Sequence, residues 1–135
     1  MKRIFLIAAA FTASMMLIQC EKPESAYKFE VVSANAPCTG FYNLNGDGLV
    51  SFDVTDNLEG STYYFDYMKE LDSPSTILVH VDSIASNIAN SITVYIYEND
   101  KTVKKQTFTP VSSTTSSGTV YSISGEVEYD FGSSE

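Results

Sequence analysis

From residue 27 onward, apolar and polar positions alternate in short runs. Tyr27-Lys-Phe-Glu-Val has the period of two that marks a half-buried strand. Val50, Phe52 and Val54 form a second row against Ser51 and Asp53. Tyr63, Phe65 and Tyr67 form a third, and Ile77, Val79 and Val81 a fourth. Ile92, Val94 and Ile96 follow, and the last row is the longest: Tyr121, Ile123, Gly125, Val127, Tyr129 and Phe131. Ser122, Ser124, Glu126, Glu128 and Asp130 lie between them, so one side of this segment is core and the other is water. Gly125 in its middle predicts a bulge or kink.

Turn-forming groups separate the rows: Asn45-Gly46-Asp47-Gly48, Asp72-Ser73-Pro74 and Asn99-Asp100. Ser112 to Gly118 reads as a flexible loop, and Asp82 to Asn90 has room for one helical turn. No segment carries helical periodicity over a helix's length. The expectation is an all-β antiparallel two-sheet sandwich, immunoglobulin-like, with about seven to eight strands. One hairpin can be specified further. If Asn99 and Asp100 form a two-residue loop, Glu98 faces Lys101 and Ile96 faces Val103, an opposite-charge pair beside an apolar one.

The N-terminus has a different pattern. Met1-Lys2-Arg3 is basic, and Ile4 to Ile18 is an apolar run broken only by Thr12 and Ser14. At 15 residues it is short against the roughly 20 that span a bilayer. Leu17-Ile18-Gln19-Cys20 closes it and resembles a bacterial lipobox behind a secretory signal peptide. The resemblance implies cleavage before Cys20 and acylation of that cysteine, although Gln19 stands where a small residue is usual. Residues 1–19 are thus read as the signal, 20–26 as the lipidated cysteine and a polar tether, and 27–135 as the domain.

Charge then narrows the partners. Without Lys2 and Arg3, six basic residues remain against 17 acidic ones, a net charge of −11 with no arginine. Nucleic acid and anionic headgroups are repelled by such a surface. With Cys20 acylated, Cys38 has no partner for an internal disulfide, so the core must suffice alone. A small buried apolar role is expected for Cys38, rather than an exposed thiol.

Candidate chemistry is sparse. Asn43, Asn45 and Asp47 alternate and Gly48 sits sixth, as in an EF-hand loop. The twelfth place, however, is Val54, and Asp53 comes one position early. The flanks are strand-like, and Asn-Gly and Asp-Gly are hairpin pairs. Asn43, Asn45, Asp47 and Asp53 are therefore weak metal candidates, and a turn is expected. With a loop of two or four residues, Phe41 shares the face of Val50, Phe52 and Val54. His80 is the single histidine, flanked by Val79 and Val81 but pointing away from them. No second histidine supports a zinc site, no Gly-x-Ser-x-Gly elbow is present, and no cofactor is expected. Lys101, Lys104 and Lys105 make the one basic spot, which suits edge protection.

Tyrosines are the remaining feature. Tyr64, Tyr95 and Tyr97 fall on the less buried faces of their strands. Two roles stay open for them: recognition, because tyrosine gives contact area at little entropic cost, and ordinary cross-strand pairing.

The order Gly40-Phe-Tyr, Asn45-Gly-Asp-Gly, Ser73-Pro74 and Ile92-Thr-Val-Tyr-Ile-Tyr-Glu-Asn-Asp resembles small exported β-sandwich envelope proteins. The mycobacterial small membrane proteins that assist lipid and siderophore exporters are one such group. That resemblance implies an accessory role, with no site residue carried over. Together these readings predict a non-enzymatic, lipid-anchored envelope protein, at the outer membrane or cell surface, that contacts an envelope protein, a host protein or a glycan. The alternative is a calcium-binding or enzymatic module built on the Asn43–Asp53 loop or His80.

Overall fold

The computed structural model describes residues 27–85 and 87–132. The readings that concern the signal, Cys20 and the tether lie outside these residues. Among the described residues ten strands make two antiparallel sheets of five, more strands than the seven to eight expected. The first sheet has the order β4-β5-β1-β7-β8 and the second β3-β2-β6-β10-β9. The strands are β1 (Tyr27–Ala34), β2 (Cys38–Leu44), β3 (Leu49–Val54), β4 (Asp56–Asn57), β5 (Tyr64–Leu71), β6 (Thr76–Ala85), β7 (Ser91–Glu98), β8 (Lys101–Phe108), β9 (Val111–Thr115) and β10 (Gly118–Asp130).

Every alternating row contributes to the space between the sheets. Phe29, Val31, Ile77, Val79, Val81, Ile92, Val94 and Ile96 are fully buried there, with Ile123 and Val127 almost so. Each such side chain removed from water is worth about 1.5–3 kcal/mol. Aromatic rings fill the middle of the interface: Phe52 stacks on Tyr67 of the opposite sheet at 4.7 Å, and Phe29 lies 5.7 Å from Phe52. Cys38 is buried and unpaired in this core. Ser33, also buried, donates its hydroxyl to the Ala36 carbonyl at 2.6 Å.

Five expectations change. Four residues connect β2 and β3, but Leu44 is unpaired with β3 and Asn43 pairs with Leu49, so five residues separate the last paired positions where an even number was expected. That odd count inverts the parity of β2. Tyr42 is therefore buried opposite Val50, and Phe41 faces outward beside His80. In the β7–β8 hairpin, Glu98 does face Lys101, but a bulge admits Val103 as an extra residue and Ile96 faces Lys104. Gly125 is not a bulge: β10 pairs without interruption through it, and Phe108 occupies the place its Cβ would take. Val111 to Gly118 is a hairpin, since β-branched Val111, Thr114 and Thr115 extend into β9. β6 continues to Ala85, and the following turn is held by Asn87 Oδ1, which accepts the Ala89 N–H at 2.8 Å.

Candidate functional site

Strand register maps the outer face of the first sheet row by row, across β5, β1, β7 and β8. Met68, Glu30, Tyr95 and Lys105 form one row, and Glu70, Lys28, Tyr97 and Thr102 the next. Tyr95 and Tyr97 are two residues apart on β7, so both point outward, and their rings lie 6.1 Å apart with 17° between planes. Neighbours hold them. The Tyr97 hydroxyl donates to Glu30 Oε2 at 2.6 Å. The Lys28 ammonium sits 5.2 Å from the Tyr97 ring centre and 2.8 Å from Asp100 Oδ1, and Lys105 lies 5.2 Å from the Tyr95 ring.

The electrostatics follow from these contacts. Burial, then the Glu30 carboxylate beside it, pushes the Tyr97 phenol well above its ordinary range. The hydrogen bond to Asp100 raises the Lys28 ammonium. The pair of tyrosines is thus an aromatic step edged by the Lys28 and Lys105 ammonium groups and the Glu30 carboxylate. Tyr64 shares the face, opposite Ala34, but at its far corner. From Tyr95 it lies two strands and four residues away, roughly 15–20 Å. Between them are Met68, half exposed, and Asp66.

The second sheet's outer face holds His80. Its ring stacks on Phe41 at 4.6 Å and 11°, its Nε2 is 2.7 Å from Asp82 Oδ2, and its Nδ1 is 3.8 Å from Glu126 Oε2. Among the described residues no serine hydroxyl is shown hydrogen-bonded to it; its ring nitrogens face the two carboxylates. Nor do His, Cys, Asp or Glu side chains form a group of three placed for a metal ion, among the described residues.

The Asn43–Asp53 stretch is the β2–β3 hairpin. Asn45 occupies φ 55° and its Oδ1 accepts from Ser75 N–H at 2.7 Å, Ser75 Oγ at 2.9 Å and Thr76 N–H at 3.2 Å. This oxygen is spent on tying the hairpin to the start of β6. Asp47 donates its own backbone N–H to the Leu44 carbonyl at 2.9 Å, closing the turn. Asn43 and Asp53 sit in different rows of the sheet, four residues apart in register, or about 13 Å. The loop does not gather the four side chains around one point.

Comparison with protein-family models, curated proteins and solved structures finds no match for this chain. Its site is read from its own chemistry. Sequence periodicity placed Tyr64, Tyr95 and Tyr97 outward, and the structure puts all three on one face. Glu30 and Lys28, which fix the tyrosines, were not singled out, because only register reveals which β1 residues flank which β7 residues. Phe41 was missed for the parity reason given above.

Proposed function

We propose that this chain is a lipid-anchored, non-catalytic recognition domain of the bacterial cell envelope. In this reading it binds an envelope protein, a host protein or a glycan through the outer face of its first sheet. The observation that carries the proposal is the Tyr95–Tyr97 step. Two near-parallel rings, held by Glu30, Lys28 and Lys105, offer amphipathic contact area that is ordered before any partner arrives. Preorganisation lowers the entropic cost of binding, which is why rigid aromatic anchors recur at recognition surfaces. Exposed Met68 and Tyr64 extend the apolar part of the same face.

The anchor belongs to the proposal as well. Acylated Cys20 would be separated from β1 by residues 21–26, a polar, proline-bearing tether that holds the domain within roughly 20 Å of the membrane. An accessory subunit beside an exporter is one form of such a contact. The immunoglobulin-like arrangement of the two sheets is part of the same reading, as is the outer membrane or cell surface as its place.

A pull-down from intact envelope tests recognition. The full chain should retain one partner in stoichiometric amount, and Tyr64→Ser with Tyr95→Ser should lose it while keeping a β-type spectrum. Retention unchanged in that double variant would remove the tyrosine face from the account. Incorporation of labelled fatty acid in wild type, absent in Cys20→Ser, tests the anchor separately.

A further inference from the structure

A sandwich is open to other chains at its sheet edges, because half the N–H and C=O groups of an edge strand point away from its one neighbour. The edges here are β4, β8, β3 and β9. Three are blunted. β4 is two residues long and carries Asp56. β8 carries Lys101, Lys104, Lys105 and the bulge at Val103. β3 carries Asp53 and follows Asp47. β9, Val111-Ser-Ser-Thr-Thr, has no charge and no proline, and it pairs with β10 without a bulge.

Neutrality extends well beyond that strand. From Gln106 to Gly125 there is no Asp, Glu, Lys or Arg, in a chain where 19% of residues are charged. Apolar surface accompanies it. Ile84, Val111 and Val120 are exposed, and register sets Ile84 beside Ser122, and Ser122 beside Val111, with Val120 on the same face of β10. A shallow depression beside them is lined by Ile84, Ser122 and Ser124, with Asp82 at the side away from β9.

We propose that the occupant of this edge is a second copy of the chain, its β9 running antiparallel to the first across a two-fold axis. Charge selects the place. With a net charge of −9 before any processing, two copies repel over most of their surface. At β9 they meet without bringing carboxylates together. Pairing all five residues of the strand sets Ser113 opposite Ser113 of the second copy, and Val111 opposite its Thr115. The contact is isologous, as a closed dimer requires, and it joins two five-stranded sheets into one. The tyrosine face belongs to the other sheet and stays open in both copies.

The test uses full-length protein solubilised from membranes in detergent, with particle mass read by light scattering or sedimentation. Wild type should have twice the protein mass of one chain. Ser113→Lys and Ser113→Glu, which set like charges face to face, should each halve that mass. Mixing the two variants should restore the dimer, because lysine then faces glutamate. Position 113 is solvent-exposed, and circular dichroism checks that each variant is folded. In intact cells, Ser113→Cys should cross-link to itself through a short bismaleimide, and Ser51→Cys on the β3 edge should not. A monomeric wild type, a dimer that persists in both charged variants, or a mixture that stays monomeric would each overturn the proposal.

Discussion

Phe108, from β8 in the first sheet, lies over Gly125, from β10 in the second, so closely that a Cβ at position 125 would overlap the ring. Gly40 repeats the arrangement with Phe52, its own cross-strand neighbour, and with the His80 carbonyl. In both places a glycine in a strand is the recess that lets a phenyl ring close the core.

Gly125→Ala should therefore cost about 1–3 kcal/mol in denaturant unfolding, as overpacking of a filled core does. In the Phe108→Ala background the same substitution should cost much less, because the ring it strikes is gone. Equal costs in the two backgrounds would mean that Phe108 is not what Gly125 makes room for.

Asn45 should matter for tying the hairpin and not for cations. Asn45→Ala removes an acceptor of three solvent-exposed hydrogen bonds, and should destabilise the domain by about 0.5–1.5 kcal/mol. Asn45→Asp keeps the acceptor and should lose less. Adding calcium should leave the wild-type melting temperature where it was. A calcium-dependent rise that Asn45→Asp enhances would contradict this assignment.

Cys38 should be silent toward thiol reagents until the protein unfolds. Burial pushes its thiol up to about 11, against about 8.5 in an unfolded chain. The folded state favours the protonated form, so this contribution to stability is complete below about pH 8.5 and is lost as pH rises toward about 11. Melting temperatures across that range should fall in wild type and fall less in Cys38→Ala. Rapid labelling of native protein at pH 8 would place the thiol at the surface.

Tyr97 gives a second alkaline signature. Its phenol is raised by burial and then by Glu30, so the folded state again favours the protonated form. The associated stability is present below about pH 10 and declines as pH rises above it. Phenolate absorbance of wild type minus Tyr97→Phe should show a tyrosine that ionises after the bulk of the others. A difference curve centred on the ordinary tyrosine range would show that the Glu30 contact does not persist in solution.

Much of this architecture was legible because burial writes a period of two into the sequence. Ile77, Val79 and Val81, or Ile92, Val94 and Ile96, alternate with polar residues and are fully buried as that alternation requires. What escaped depends on loop parity and on position within a sheet. One extra residue between the last paired positions of β2 and β3 exchanged the roles of Phe41 and Tyr42. Val50 keeps the core side of β3, yet it remains half exposed because β3 is an edge strand. β9 passed for a loop since edge strands rich in serine and threonine carry little apolar alternation. For the candidate site, Tyr64, Tyr95 and Tyr97 were legible as outward residues, but the Glu30–Tyr97 bond spans 67 positions and only strand pairing creates it.

Recognition through the first sheet is tested most directly by photocross-linking in living cells that make the full chain. A benzophenone amino acid replaces Tyr95 in one strain and Glu126, on the opposite sheet, in another. The account predicts one discrete heavier adduct from position 95, lost when Tyr64→Ser is added, and none from position 126. Adducts from position 126 alone, or equally from both positions, would contradict it.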